Sequence, residues 1–154
     1  MKIHIRTALT TEAKYLTELA MASKSYWGYS AEFMKNCREE LSVTNSKIND
    51  KTFYYQVAES NGKKLGFYAL EKLTVSTIEL EALFVKPAFI GKGIGKALIN
   101  HAKNLALQLG AKTMVIQGDP NAIEFYLAAG AKQVGELESG SLPGRFLPLF
   151  EMDL

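Results

Sequence analysis

The chain is poor in the residues that build disulfide frameworks and metal sites. It has one cysteine, Cys37, and two histidines, His4 and His101, in 154 residues. A single cysteine cannot form a disulfide within the chain, and these three residues do not have the spacing of a metal-ligand set. We therefore expect neither a disulfide framework nor a bound metal.

The sequence also lacks long apolar runs and clusters of one charge. No segment approaches the length of a membrane span, and the first ten residues contain no apolar signal-peptide core. The formal net charge is only +2, and the lysines and arginines form no run. These features predict a cytoplasmic protein that binds neither nucleic acid nor membranes.

The overall composition is that of an ordinary globular protein. Apolar residues make up 47% of the chain and charged residues 22%. No internal repeat or interdomain linker is visible, and 154 residues most simply form one domain. We predict a single domain that spans residues 1–154.

A strand, a glycine-rich turn and a long helix follow one another at the centre of the chain. The apolar strand Ile78–Lys86 ends at Pro87, and Gly91, Gly93 and Gly95 then precede a segment with helical apolar spacing. Glycines let backbone N–H groups approach a ligand closely, and a helix N-terminus attracts anions. This stretch predicts an anion site suited to phosphate.

Two common nucleotide-binding patterns do not fit this turn. A Walker A loop needs a glycine where Ile90 stands, and a serine or threonine where Ala97 follows Lys96. The Rossmann pattern needs a small residue in its sixth position, which is Lys96 or Leu98 depending on the start. Both patterns fail on spacing.

Two segments instead resemble motifs of the GNAT superfamily of N-acetyltransferases. Ile90–Gly95 is similar to the acyl-CoA loop Gln/Arg-x-x-Gly-x-Gly/Ala, with Ile90 where a polar residue is usual. Asn121–Gly130 resembles the family's Asn-x-x-Ala-x-x-Phe-Tyr-x-x-x-Gly segment through Asn121, Phe125, Tyr126 and Gly130, with the asparagine two residues nearer to the Phe-Tyr pair. The two motifs stand in the order that the family has.

The element pattern agrees with the same family. Apolar periodicity, an Asn61-Gly62 hairpin signal and helix caps at Ser30 and Asp119 predict the order β-α-α-β-β-β-α-β-α-β-β. Thr10 or Thr11 is predicted to cap the first helix. The resemblance implies an α/β (α+β) fold with a mixed, mostly antiparallel sheet of about seven strands and helices on both faces.

The resemblance also implies the residues of the reaction. The cosubstrate is acetyl-CoA, and no metal takes part. Glu79 and Glu81, on one face of the strand before the loop, are both candidates for the base, and Tyr126 for the acid that protonates the leaving thiolate. Backbone amides around Leu83 would stabilise the oxyanion. Contacts with coenzyme A are expected from Leu83, Phe84, Val85, Gly91, Lys92, Gly93, Ile94, Gly95, Lys96, Asn121 and Tyr126.

The acceptor is defined less closely by the sequence. In the family the acceptor cleft is lined by two loops, which here are residues 23–30 and 138–148. Tyr26, Trp27 and Tyr29 are candidates for an aromatic wall or, alternatively, for closing the top of the core, and Arg145 is a candidate for binding a carboxylate. We expect a small-molecule primary amine and direct attack in a ternary complex. A non-catalytic acyl-CoA sensor, acetylation of a protein N-terminus or lysine, and a homodimer remain open.

Overall fold

The computed structural model describes residues 1–140 and 142–154 of the chain. Within them, the seven strands and four of the five α-helices follow the predicted order, and the short helix of residues 45–49 is additional. The strands are β1 (His4–Thr7), β2 (Phe53–Ser60), β3 (Lys63–Lys72), β4 (Thr77–Val85), β5 (Thr113–Gln117), β6 (Lys132–Glu138) and β7 (Phe146–Asp153). The helices are α1 (Ala13–Ser25), α2 (Ala31–Leu41), α3 (Asn45–Asn49), α4 (Ile94–Gln108) and α5 (Ile123–Ala128).

The strands form one sheet in the order β1-β2-β3-β4-β5-β7-β6. All neighbouring strands are antiparallel except β4 and β5, which run parallel because α4 connects them. Asn61 and Gly62 join β2 to β3 with φ angles of 51° and 76°. These left-handed values are those of the tight hairpin turn that the Asn-Gly pair predicted.

Each face of the sheet carries its own apolar core. On one face α1 packs against β2 and β3 through Leu16, Ala20, Val57, Phe67 and Ala69. On the other face α4 packs against β3, β4 and β5, and its core includes Tyr68, Leu80, Leu98, Met114 and Phe150. The predicted fold class, a mostly antiparallel mixed sheet with helices on both faces, is confirmed.

One predicted helix cap is confirmed and another is wrong. The Ser30 hydroxyl accepts a hydrogen bond from the Phe33 N–H at 3.1 Å, as a cap of α2 should. The prediction that Thr10 or Thr11 caps the first helix is wrong. Both lie within a 3₁₀ turn ahead of α1, and the turn's first N–H, that of Leu9, is bound by the Glu12 carboxylate at 2.8 Å.

Two further differences have local causes. Residues 45–49, predicted as part of a polar loop, form α3, which the Thr44 hydroxyl caps by accepting from the Lys47 N–H. Pro148 was predicted to mark an edge strand or a bulge. β7 lies inside the sheet and not at its edge, but its pairing with β6 does contain a bulge, between Gln133 and Gly135, beside Pro148. The sheet accepts this proline because β5 ends at Gln117, which pairs with Leu149, the residue after Pro148.

None of the helices in residues 1–140 and 142–154 combines the length and apolar character of a membrane span. The same residues contain no group of three or more potential metal ligands close together. His101 lies against Tyr68, and the Tyr68 hydroxyl is 2.7 Å from His101 Nδ1. Cys37 is buried in α2. Both residues are therefore packed against the rest of the fold.

Candidate active site

A cleft of about 680 Å³ opens beside the second half of β4. Its walls come from β4, the glycine loop (residues 90–95), the start of α4, α5 and the end of α1. The predicted site residues that line it are Trp27, Glu79, Glu81, Leu83, Phe84, Val85, Gly91, Gly93, Gly95, Lys96, Asn121 and Tyr126. Five others lie outside the described lining: Tyr26, Tyr29, Lys92, Ile94 and Arg145.

A β-bulge shapes the floor of the cleft. Ala69 of β3 pairs with Ala82, but the next residue, Leu70, pairs with Leu80, so that Glu81 is the extra residue of β4. A bulge shifts the alternation of side chains by one position. Leu80 therefore faces the α4 core, whereas Ala82, two residues later, packs on the α1 side.

Beyond this bulge, β4 loses one of its two neighbours. Pairing with β5 ends at Leu80 and Ile116, although β4 continues to Val85. Lys86 donates its N–H to the Leu65 carbonyl of β3 at 2.8 Å. Because backbone groups alternate along a strand, those of Leu83 and Val85 point away from β3, into the gap left by β5. The cleft therefore has an open strand edge as one wall.

The glycine loop gives the cleft a set of free amide donors. Gly91 and Gly93 have φ angles of 83° and 84°, which L-residues rarely adopt. The first turn of α4 has no side-chain cap and no acidic residue, so the N–H groups of Ile94, Gly95 and Lys96 have no partner within the helix. Together with the helix dipole, these donors favour an anion at this end of the cleft.

The third glycine of the loop, Gly95, is required by packing and not by the approach of a ligand. A Cβ on Gly95 would lie 3.0 Å from Phe125 Cε1, because α5 lies directly against the start of α4. The two motifs found in the sequence thus contact one another in the fold. Lys96 lines the cleft. Lys92 does not, and its ammonium group lies 5.4 Å from the centre of the Phe89 ring.

Tyr126 lies at the inner end of the cleft, with only 7% of the residue exposed. Its ring contacts Phe125 and Phe150 with centroid separations of 5.1 and 5.4 Å. Among the described residues no group hydrogen-bonds its hydroxyl, which leaves that hydroxyl available to a ligand. Burial, and then the charge of Asp119, raise the pKa of Tyr126 above its ordinary value, so that it stays protonated at neutral pH.

Glu79 and Glu81 both lie on the α1 side of β4 and line the cleft. Burial, followed by the charge of Glu71, raises the pKa of Glu79. Burial also raises the pKa of Glu81, while Lys47 opposes the rise and Glu79, Glu71 and Glu40 add to it. A carboxylate with a raised pKa is a better proton acceptor, which is what a general base requires.

A polar cluster of Lys24, Tyr29, Asp119, Asn121 and Arg145 borders the cleft. The Tyr29 hydroxyl lies 2.9 Å from Asp119 Oδ2 and accepts hydrogen bonds from Asn121 Nδ2 at 3.0 Å and from Arg145 Nη2 at 2.8 Å. Lys24 Nζ lies 3.4 Å from the Asp119 carboxylate. Burial opposes the ionisation of Asp119, but the Asn121 N–H, Tyr29 and Lys24 outweigh it and lower the Asp119 pKa.

This cluster changes the expected roles at the acceptor end. Arg145 Nη2 donates to the Tyr29 hydroxyl and lies 3.5 Å from Asp119 Oδ2, and the guanidinium covers the Phe33 ring at 4.8 Å, so these contacts lie within the cluster and not along the cleft lining. Tyr29 stacks on Phe33 at 4.3 Å instead of facing the cleft. Tyr26 packs against Trp27 and is half exposed, so Trp27 alone of the three predicted aromatics lines the cleft.

The sequence did not predict that Asp119 and Lys24 belong to this cluster. Asp119 was identified as a helix cap, and it does accept the Asn121 N–H at 2.8 Å. Its contacts with Lys24 and Tyr29 join positions about ninety residues apart, for which a single sequence carries no signal. One residue of the predicted acceptor loop 138–148, Ser141, lies outside the described residues.

Comparison with known proteins agrees with this geometry. The sequence model of the family described as Acetyltransferase (GNAT) matches residues 15–131, well over half of the chain. The chain belongs to the GNAT family of acetyltransferases. The predicted family and the predicted enzyme class, that of an N-acetyltransferase, are confirmed.

Relatives within the GNAT family cover the chain to different extents. A Salmonella typhimurium protein named peptidyl-lysine N-acetyltransferase YjaB is 38% identical over 153 residues, which are 99% of this chain and 98% of that protein. The uncharacterized N-acetyltransferase MJ1207 of Methanocaldococcus jannaschii is 37% identical over 86 residues, which are 50% of this chain and only 38% of that protein.

A solved GNAT structure has the same fold. The PaiA N-acetyltransferase from Thermoplasma acidophilum, crystallised with coenzyme A, superposes with a TM-score of 0.80 over 100% of both chains at 21% sequence identity. At this identity the likeness establishes the fold.

Proposed function

We propose that this GNAT protein transfers an acetyl group from acetyl-CoA to a primary amine, by direct attack while both substrates are bound. One observation carries the proposal. The open edge of β4, the free amides of the glycine loop and the unpartnered Tyr126 hydroxyl all border the same cleft. An extended thioester substrate fits these three features: its anionic end at the loop amides, its arm along the edge of β4, and its thioester beside Tyr126.

Coenzyme A binding follows from the two ends of this arrangement. The N–H groups at the start of α4, with Lys96 beside them, are suited to the pyrophosphate. The free backbone groups of Leu83 and Val85 can pair with the amides of the pantetheine arm, as an added strand would. The acetyl group would then lie between β4 and Tyr126.

The acceptor must lose a proton before it attacks, because an alkylammonium has a pKa near 10. Glu79 or Glu81, directly or through a water molecule, takes that proton as the amine nitrogen bonds to the acetyl carbon. The N–H groups on the open edge of β4 stabilise the charge that forms on the acetyl oxygen. As the carbon–sulfur bond breaks, the Tyr126 hydroxyl donates a hydrogen bond or its proton to the sulfur.

For the acceptor we favour a small-molecule amine. The acceptor end of the cleft is lined by carboxylates, which attract an ammonium group. Acetylation of a lysine in a protein is the second candidate, because the full-length relative YjaB is named a peptidyl-lysine N-acetyltransferase. A sensor that binds acyl-CoA without turnover is disfavoured by the unpartnered carboxylates and tyrosine in the cleft.

Two linked measurements test the proposal. Acetyl-CoA at millimolar concentration should raise the melting temperature, because a ligand that binds only the folded state stabilises it. Release of the coenzyme A thiol should then follow the addition of amines from a panel of diamines, amino acids and lysine peptides. No stabilisation would overturn the proposal, and stabilisation without thiol release on the whole panel would favour the sensor.

A further inference from the structure

Four carboxylates near the acceptor end have no salt-bridge partner within the described residues. Glu40, Glu79 and Glu81 line the cleft, and Glu71 pairs with Glu79 across the strands β3 and β4. Over residues 1–140 and 142–154, none of the four forms a salt bridge or a hydrogen bond. By contrast, the buried Glu12 is bound by Arg6, which shows how this fold neutralises a carboxylate that only stabilises it.

A small side chamber adjoins this group of carboxylates. Its volume is about 20 Å³, and Glu40, Glu81 and Phe84 line both the chamber and the main cleft. A volume of this size holds one water molecule or one group of similar size. The chamber therefore adjoins the cleft, and its volume is large enough for an ammonium group.

Tyr55 supplies an independent sign that the chamber takes a ligand. It lines the chamber and is only 3% exposed, yet its hydroxyl has no hydrogen-bond partner among the described residues. Burial raises the pKa of Tyr55, and the charges of Glu81 and Glu71 raise it further, so both carboxylates lie close enough to act on this hydroxyl. No fully enclosed side-chain nitrogen or oxygen atom among the described residues lacks a partner, so the unpartnered Tyr55 hydroxyl keeps some accessible surface, on a residue that lines the chamber.

We infer that the acceptor is a diamine, whose distal ammonium group enters the chamber and contacts Tyr55, Glu40 and Glu81, while its other amine is acetylated. This inference rests on the proposed function and names its substrate class. The distal ammonium donates hydrogen bonds to the tyrosine oxygen and the carboxylates, and Glu79 remains beside the reacting amine. No covalent step is added to the acetyl transfer.

The charge balance favours two positive groups over one. Lys47 is the cation that faces Glu81, and it lies beyond salt-bridge distance of all four carboxylates. Lys24 is bound to Asp119, and Lys96 lies at the glycine loop. Four carboxylates and Lys47 leave a surplus of negative charge that a single ammonium only partly neutralises. With a monoamine bound, only a water molecule could occupy the chamber and contact the Tyr55 hydroxyl.

The test compares pentane-1,5-diamine with pentylamine, which has the same chain length and one amine. With the wild-type protein and saturating acetyl-CoA, we expect kcat/KM to be about tenfold or more higher for the diamine, as one charge-assisted contact provides. Tyr55→Phe and Glu40→Gln should each lower this ratio about fivefold or more, mainly through KM for the diamine. Tyr55→Phe should not lower the melting temperature, because it removes a hydroxyl that no described group binds.

Glu39→Gln is the matched control. Glu39 neighbours Glu40 on α2, is exposed and lies outside the cleft, so its removal should leave the ratio unchanged. Equal kcat/KM for the two amines, or a ratio that survives both cleft variants, would overturn the diamine assignment alone. Faster acetylation of a lysine peptide with a blocked N-terminus would also overturn it. Absence of thiol release with every amine would instead overturn the proposed function itself.

Discussion

Tyr126 is the residue whose environment bears most directly on the proposed chemistry. Its ring is held between Phe125 and Phe150, while its hydroxyl has no partner among the described residues. The raised pKa keeps the proton on the tyrosine oxygen, so that the hydroxyl can act as a donor over the whole neutral range. A donor to the departing sulfur must be protonated at the start, and Tyr126 meets this condition.

The first prediction concerns this hydroxyl. Tyr126→Phe should lower kcat on the order of a hundredfold, which is within the range for loss of a general acid. The dissociation constant of acetyl-CoA should change less than about threefold, because the ring that packs beside the ligand is kept. Tyr15→Phe, on a partly exposed tyrosine outside the cleft, is the control. An unchanged kcat in Tyr126→Phe would remove the tyrosine from the mechanism.

The pH dependence of the rate separates the two glutamates. Burial raises the pKa of Glu79 and of Glu81 above the ordinary value of 4.5, so kcat/KM should fall with a midpoint above pH 4.5 as the base becomes protonated. Glu79→Gln and Glu81→Gln, measured across pH, should differ: only the variant that removes the base should lose this acid limb. A midpoint at or below pH 4.5, or identical profiles for both variants, would contradict the assignment of either carboxylate.

At the scale of elements, the sequence predicted the glycine loop and α5 well but could not show how β4 is built. Glycine, proline and capping residues determine the backbone next to them. The turns and helix starts at Gly93, Asp119 and Ser30 could therefore be predicted from the sequence. The bulge at Glu81 depends on β3, since it arises where Ala69 and Leu70 pair out of step with β4. No residue of β4 encodes it locally, and it is the bulge that precedes the open edge of the cleft.

The glycine loop yields the third prediction. Gly93 has a φ of 84° and no protein atom within 4 Å of a Cβ placed there, so a valine would strain the backbone and project into open space beside the anion site. Gly93→Val should weaken acetyl-CoA binding about tenfold or more. Gly62→Val is matched to it, with a φ of 76° and the same open surroundings in a distant hairpin.

Calorimetric titration with acetyl-CoA distinguishes the two valine variants. Both should lose about 1 kcal/mol or more of unfolding free energy through backbone strain. Only Gly93→Val should lose affinity. Equal affinity in the two variants would mean that the anion of the ligand binds elsewhere.

In the molecule as a whole, an ion cluster away from the cleft joins the first three strands of the sheet to the turn before α1. Arg6 donates to both oxygens of Glu12, at 2.9 and 2.7 Å, and to Glu59 at 3.2 Å. Lys64 lies 3.7 Å from the same Glu12 carboxylate. The Arg6 contact, opposed by burial, lowers the pKa of Glu12 to about 2. The cluster ties β1, β2 and β3 to the turn before α1.

This cluster gives the fourth prediction. Because the folded-state pKa of Glu12 lies below its ordinary value of 4.5, its contribution to stability is complete above about pH 4.5 and is lost as the pH falls towards 2. Glu12→Gln should lower the unfolding free energy at pH 7 by about 1–3 kcal/mol and flatten the decline below pH 4.5. Urea unfolding across pH measures both effects.

The control is an ion pair on the surface. Glu18 and Arg38 pair with 52% of each side chain exposed, and such pairs contribute little in water. Glu18→Gln should therefore change the unfolding free energy by less than about 0.5 kcal/mol. A loss in Glu12→Gln no larger than this would show that the buried cluster does not stabilise the fold.

The sequence predicts those features of the fold that depend on neighbouring residues, and not those that depend on contacts between distant segments. Periodicity and turn residues predicted the order of most helices and strands along the chain, and two local motifs predicted the family. The role of Arg145 was not predictable, because its partners Tyr29 and Asp119 come from separate loops. The side chamber at Tyr55 likewise needs three elements to be packed together, and α3 was hidden by its loop-like composition.

A crystal structure of the protein with coenzyme A would test the proposed site most directly. We expect the pyrophosphate within hydrogen-bond distance of the amides of residues 91–96 and the pantetheine arm paired with Leu83 and Val85. We also expect the sulfur next to the Tyr126 hydroxyl, with Glu79 and Glu81 facing it across the cleft. Coenzyme A bound outside this cleft, or with its sulfur remote from Tyr126 and β4, would contradict the proposed site.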